Sequence, residues 1–137
     1  MVGLKTGFYW YEIGNWKFLY SFFSTISFRL ENKLWGNKYP IIMNEFYRGK
    51  LGIDSLRLGL AEITNIQVQL SQFKPQDVVW NIDKLSEQPP WGNDISAEIT
   101  DLSNYFVTCN GEDLIEVIRE AMEKAVEINE ELLIIEL

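Results

Sequence analysis

The sequence contains no histidine and only one cysteine, Cys109, among its 137 residues. The absence of histidine removes the commonest general base and both the Ser-His and Cys-His dyads. A single cysteine excludes an intrachain disulfide and any paired-cysteine metal site. No apolar run approaches the roughly 20 residues that a membrane-spanning helix needs, and nothing at the N-terminus is typical of a signal peptide. We therefore expect a reduced, cytoplasmic protein in which Cys109 is a small buried hydrophobe.

The sequence motifs of common enzymes are missing as well. There is no GxGxxG, GxxxxGK[ST], GxSxG or HExxH, so neither nucleotide binding nor the usual hydrolytic chemistry is indicated. Asp77, Asp83 and Asp94 offer oxygen ligands for a divalent cation, but their spacing is not that of an EF-hand loop. We predict a protein that is not an enzyme and that holds no cofactor or metal. A small acid–base or metal-dependent enzyme is the least favoured alternative.

Charge is distributed unevenly along the chain. Hydrophobic residues make up 47% and charged residues 23%, a composition typical of a globular protein, and the length predicts one domain over residues 1–137. The net charge is −8, with nine bases and five acids in residues 1–74 but three bases and fifteen acids in residues 75–137. Concentrated negative charge repels nucleic acid and attracts basic proteins. The alternative is a solvated face that only keeps the protein in solution.

Hydrophobic periodicity predicts an α+β protein, with a small mixed β-sheet packed against about four helices in the order β-α-α-α-β-β-α-β. If the last two strands are adjacent and parallel, their crossover should be right-handed. The predicted strands cover residues 2–13, 78–82, 104–109 and 132–137. The predicted helices run from an Asn15 cap to Leu30, over residues 41–48, from an Asp54 cap to Phe73, and over residues 112–127.

An acidic stripe is predicted on the last helix. Glu116, Glu120, Glu123, Glu127 and Glu130 are spaced by four, three, four and three residues, which places them on one helical face if the helix extends that far. Like charges at this spacing destabilise a helix slightly, and the pairs Arg119–Glu123 and Glu120–Lys124 should offset part of that cost. The stripe is interpreted either as a surface that binds a cationic protein or as an ordinary solvated face.

The segment Pro89-Pro90-Trp91-Gly92-Asn93-Asp94 is the second candidate binding element. Two prolines limit the backbone entropy lost on ordering. An exposed Trp91 would be a strong interface anchor, with Asp94 as a flanking charge. Alternatively, Trp91 fills a gap in the core, as most tryptophans are largely buried.

Five segments together resemble the immunity protein 70 family of bacterial polymorphic toxin systems. They are GFYWYE at residues 7–12, SFFSTI at 21–26, WG at 35–36, PPWG at 89–92 and DLSNYFVT at 101–108. Their order and spacing carry the resemblance, which covers nearly the whole chain. The aromatic opening and the Pro-Pro-Trp-Gly segment are its most specific parts.

The resemblance implies a non-enzymatic antidote in the cytoplasm of the toxin-producing cell or its kin. Such proteins bind the C-terminal toxin domain of a partner that often carries an LXG-type delivery region. Many of these toxins are nucleases, whose substrate sites must be cationic to hold phosphates. We therefore predict that Glu116, Glu120, Glu123 and Glu127, with Trp91 and Asp94, occlude a basic toxin surface. The alternative is a scaffold or interaction subunit unrelated to toxins, such as a homodimer.

Overall fold

The chain opens with a β-hairpin. In the computed structural model, which describes residues 1–137, β1 (Val2–Thr6) pairs antiparallel with β2 (Tyr9–Gly14), and Gly7 and Phe8 form the turn. The prediction of a single strand over residues 2–13 is therefore wrong. Gly7 has a φ of 57° and Phe8 has no positive φ, the pattern of a type II′ turn, whose twist suits a two-residue hairpin loop.

Gly7 also fixes the position of this turn against the rest of the protein. A Cβ added at Gly7 would lie 2.9 Å from Ile128 Cδ1. We expect Gly7→Ala to lower the free energy of unfolding by about 1–2 kcal/mol, because alanine is strained at positive φ and meets this contact. Urea unfolding would measure the loss. Gly92→Ala is the matched control, since Gly92 has the same φ of 57° with nothing within 4 Å. Equal losses in the two variants would show that the Ile128 side chain accommodates the added methyl group at no measurable cost.

The sheet has four strands in the order β2-β1-β4-β3, where β3 is Lys50–Leu51 and β4 is Leu132–Glu136. Every neighbouring pair is antiparallel, so the sheet is not mixed and no parallel crossover exists. The C-terminal strand β4 lies in the centre, between β1 and β3. The two edges of the sheet are β2 and the very short β3.

The helices follow the hydrophobic periodicity closely. Asn15 caps the first helix by accepting a hydrogen bond from the Lys17 N–H at 2.8 Å, as predicted. The second long helix starts after a short 3₁₀ turn, so Asp54 lies ahead of the helix and is not its cap. The helices are α1 (Trp16–Thr25), continued by a π-helical turn (Ile26–Leu30), a second π-helical segment (Ile41–Phe46), α2 (Leu56–Leu70) and α3 (Leu114–Ile128), with 3₁₀ turns at Ile53–Ser55 and Pro75–Asp77.

The core lies between the helices and one face of the sheet. A single cluster of 27 buried side chains spans α1, α2, α3 and the inward-facing residues of β1 and β4, such as Leu4 and Leu132. On the opposite face, Leu133 and Ile135 are half-buried and Trp10 is 56% exposed. The predicted α+β class, with a small sheet and about four helices, is confirmed. None of the helices has the length and apolar character needed to cross a membrane.

Residues 78–82 were predicted to form a strand, but their backbone bonds to side chains of α1 instead. The Val79 carbonyl accepts hydrogen bonds from Ser21 Oγ at 2.8 Å and Thr25 Oγ1 at 3.1 Å, and the Val79 N–H donates to Thr25 Oγ1 at 3.0 Å. The Ile82 N–H donates to Ser24 Oγ at 3.2 Å. Hydroxyl groups on a helix thus satisfy the backbone groups that a neighbouring strand would otherwise pair with.

Residues 104–109 do not form a strand either. The segment is held by one isolated bridge between Val107 and Asp113, and by a hydrogen bond from the Leu114 N–H to the Phe106 carbonyl at 2.9 Å. At its end, the Cys109 N–H donates to the Ile13 carbonyl at 2.9 Å. The segment therefore connects the start of α3 to the end of β2.

Candidate protein-binding surface

The helix α3 presents two opposite faces. Its apolar face is buried and includes Leu114, Ile118, Ala121, Met122 and Ala125, as the periodicity predicted. The Asp113 carboxylate caps the helix by accepting hydrogen bonds from the N–H groups of Ile115 and Glu116. Burial raises the pKa of Asp113 above 3.8, although these two hydrogen bonds act in the opposite direction.

The four predicted glutamates share the outer face of α3. All four are exposed, and with Lys124 they line one open depression: Glu116, Glu120, Glu123 and Glu127. The helix ends at Ile128, so Glu130 is not part of this face. We call the four glutamates the acidic stripe. The spacing in the sequence was sufficient to place them together.

The ion pairs along the acidic stripe differ from those predicted. Arg119 pairs with Glu116 and Lys124 with Glu127, the latter at 2.7 Å, both at i,i+3 spacing. The predicted pairs Arg119–Glu123 and Glu120–Lys124 do not form, so Glu120 and Glu123 have no ion-pair partner in the structure. Burial alone would raise the pKa of Glu116, but hydrogen bonds from Gln67 and Arg119 lower it below 4.5. The centre of the stripe therefore carries the uncompensated charge.

The edge strand β2 borders the acidic stripe. The Lys124 ammonium lies 4.7 Å from the centre of the Tyr9 ring. Burial raises the pKa of Tyr11 above 10.0, and the nearby charge of Glu120 raises it further. At the tip of the hairpin, Phe8 is 98% exposed. The β-favouring residues around Phe8 predict the interior of a strand. A glycine followed by one residue between two such runs is the signal that marks the turn.

Trp91 lies in a separate aromatic cluster. Its ring contacts Phe18 and Trp80 at centroid distances of 5.4 and 5.5 Å, and its Nε1 donates a hydrogen bond to the Tyr105 hydroxyl at 2.8 Å. The side chain is half-buried, and Asp94 is exposed beside it in a different depression from that of the acidic stripe. The structure therefore places the two predicted elements on separate surfaces, and partner binding by Trp91 and Asp94 stays a prediction.

Cys109 and two of the aspartates considered as metal ligands, Asp77 and Asp83, each contact a different part of the protein. Cys109 was expected to be buried, but it is exposed, with its Sγ 3.9 Å from a Glu12 carboxylate oxygen. Asp77 caps a 3₁₀ turn by accepting the Lys74 N–H at 3.0 Å, and Asp83 accepts the Tyr20 hydroxyl at 2.6 Å. The structure contains no group of three or more acidic or cysteine side chains placed to hold a metal ion.

An open acidic helix face beside exposed aromatic rings has the character of a protein-binding surface. The chain belongs to the immunity protein 70 family, whose sequence model matches residues 4–134. This membership confirms the resemblance and implies an immunity protein of a toxin system. Immunity proteins of this kind bind a cognate toxin and are generally not enzymes. No curated protein and no solved structure was found to match the chain.

Proposed function

We propose that this protein acts in the cytoplasm of the toxin-producing cell and neutralises a cognate toxin by binding its C-terminal domain and covering a basic surface. The observation that carries the proposal is the family match over residues 4–134. The toxin is of the LXG type in this proposal, and a nuclease is the toxin class that we expect first. Nuclease substrate sites are cationic because they hold phosphates, and an acidic inhibitor can occupy or border such a site.

The acidic stripe is the part of the molecule that we assign to recognition of the basic surface. Glu120 and Glu123 are exposed and have no cation of their own, so a partner's lysine or arginine would not have to displace an existing ion pair. Charge of this kind raises the rate of encounter between oppositely charged proteins. Trp91 and Asp94 are the second assignment, as an anchor and a flanking charge on the separate aromatic cluster.

The experiment is calorimetric titration with the purified C-terminal domain encoded by the adjacent upstream gene, at low and high salt. We expect a nanomolar or tighter Kd that weakens as salt rises, because salt screens exposed charges. Tight binding that does not depend on salt would support the proposed function but would place the interface at the aromatic residues instead of the acidic stripe. No binding between two folded proteins would contradict this pairing and favour the scaffold alternative.

Charge reversal tests the assignment of the stripe. We expect the double variant Glu120→Lys/Glu123→Lys to slow association with the toxin domain by about 10- to 100-fold at low salt, within the range of steering effects. Stopped-flow kinetics would measure the rate. The matched control is Asp54→Lys/Glu98→Lys, which changes the net charge equally at two exposed positions outside the stripe. An equal slowing in both variants would mean that the net charge of the protein, and not the acidic stripe, sets the association rate.

A further inference from the structure

The tip of the β1–β2 hairpin exposes three large aromatic side chains, although lysines lie over two of the rings, Lys124 over Tyr9 and Lys5 over Trp10. Phe8 is 98% exposed, Trp10 56% and Tyr9 46%. Aromatic rings elsewhere in the chain pack on one another at centroid distances of 4.9 to 6.5 Å, but none of these pairs includes a residue of the hairpin. Tyr9 lies on the face of the sheet that α3 covers and Trp10 on the opposite face, with Phe8 between them at the turn. Exposed apolar groups clustered on a protein surface mark interaction sites. We call residues 8–10 the aromatic tip.

We propose that the aromatic tip anchors this protein to its basic partner and that Phe8 binds in an apolar pocket of that partner. This inference rests on the proposed function and adds the surface where the binding free energy is concentrated. Interface hot spots are aromatic side chains that become fully buried in the complex and are surrounded by polar contacts. Phe8 is exposed enough to serve as the aromatic anchor, and the acidic stripe supplies the polar contacts around it.

The backbone of the aromatic tip is held by contacts within the protein. Thr6 pairs with Tyr9 across the two-residue turn, and Gly7 packs against Ile128 at the end of α3. A rigid element loses little conformational freedom on binding, so more of the contact energy appears as affinity. Phe8 is therefore presented on a short hairpin that is tied to the acidic helix.

The acidic stripe determines the chemistry of the partner. Tyr9 contacts Lys124, and Tyr11 lies close enough to Glu120 and Glu127 for their charge to act on its hydroxyl. A protein seated on the aromatic tip would therefore lie next to Glu120 and Glu127 of the acidic stripe, and their charge favours a cationic surface. An anionic membrane surface would be repelled, and a second copy seated through the same surface would bring two acidic stripes together.

The edge of β2 leaves room for such a partner. This strand pairs only with β1. Cys109 and Asn110 contact its far end, where the Cys109 N–H donates to the Ile13 carbonyl and the Asn110 side chain donates to the Glu12 carboxylate. Half of the backbone groups of an edge strand point away from the sheet. The stretch from Phe8 to Tyr11 can therefore receive a partner chain alongside the aromatic rings.

The test compares Phe8→Ala with Leu58→Ala and Trp91→Ala in binding to the toxin domain encoded by the adjacent upstream gene. We expect Phe8→Ala to raise the Kd by at least about 30-fold, the size typical of a hot spot, mainly through faster dissociation. Leu58 is 59% exposed on α2 and is the control; its variant should bind as the wild type does. The salt dependence of Phe8→Ala should be unchanged, because the acidic stripe is intact.

Three results would contradict the aromatic tip as the anchor. Tight binding by the wild type and by Phe8→Ala, with loss in Trp91→Ala, overturns the aromatic tip as the anchor and leaves the proposed function standing. Failure of the folded wild type to bind overturns both. If the free protein is a dimer by light scattering and Phe8→Ala makes it a monomer, then a second copy occupies the aromatic tip and the inference is wrong.

Discussion

Replacement of Phe23 by alanine should remove about 3–5 kcal/mol from the free energy of unfolding. Phe23 is fully buried on α1, and its ring lies 5.0 Å from that of Tyr47, 5.8 Å from that of Phe22 and 6.0 Å from that of Phe46. The helix α1 and residues 46–47 meet at this ring, so the cavity left by alanine cannot collapse without moving helices. A domain of this size is stable by only about 5–15 kcal/mol.

Urea unfolding followed by tryptophan fluorescence would measure this loss, because the chain has five tryptophans. Phe8→Ala is a matched control, since it removes the same side chain from a position that is 98% exposed. The control should change the free energy of unfolding by less than about 0.5 kcal/mol. A loss below about 1 kcal/mol for Phe23→Ala, or an equal loss in both variants, would contradict the packing of the core.

Helical periodicity in the sequence predicted the core and the acidic stripe well. The buried face of α3 and the four exposed glutamates lie opposite one another, as a period of 3.6 residues requires. The ion pairs were not predictable from spacing alone, because both i,i+3 and i,i+4 partners are within reach on a helix. Side-chain geometry selected Glu116 for Arg119 and Glu127 for Lys124, and this selection left the centre of the stripe unpaired.

The β-structure was less predictable, because strand propensity does not determine which groups the backbone N–H and C=O of a segment will hydrogen-bond to. Residues 78–82 have strand-like side chains, yet the hydroxyls of Ser21, Ser24 and Thr25 on α1 take their backbone hydrogen bonds. The hairpin was missed because an aromatic residue, Phe8, occupies a turn position where polar residues are expected. An exposed phenylalanine at a turn departs from the pattern that favours folding, in which turns are polar and large apolar side chains are buried. Such departures concentrate at functional sites.

The buried carboxylate of Glu31 was also beyond sequence analysis, because its partners are backbone groups. Glu31 is 3% exposed, and it accepts hydrogen bonds from the N–H groups of Asn37 at 2.6 Å, Lys38 at 3.1 Å and Gly36 at 3.3 Å. The loop that it holds includes Asn32 and Lys33, both at positive φ. Backbone of this kind persists only where its surroundings hold it in place, and Glu31 performs that role here.

Glu31→Ala should therefore lower the free energy of unfolding by about 2–4 kcal/mol, since it leaves three N–H groups without their charged acceptor. Glu31→Gln should cost about half as much, because its amide oxygen still accepts from Asn37 and Lys38 while its NH₂ group faces the Gly36 N–H. Urea unfolding measures both losses, and Glu123→Ala, at an exposed and unpaired glutamate, should cost less than about 0.5 kcal/mol.

Amide hydrogen exchange distinguishes this role from general destabilisation. In both Glu31 variants the N–H groups of Gly36, Asn37 and Lys38 should exchange faster than in the wild type. The N–H groups in the middle of α3 should exchange faster only by the amount that the lower global free energy of unfolding requires. If the three loop amides change no more than the α3 amides do, the carboxylate does not hold the loop. The loop contributes Trp35, whose ring packs at 4.9 Å from Tyr47, so its order is also coupled to the aromatic core around Phe23.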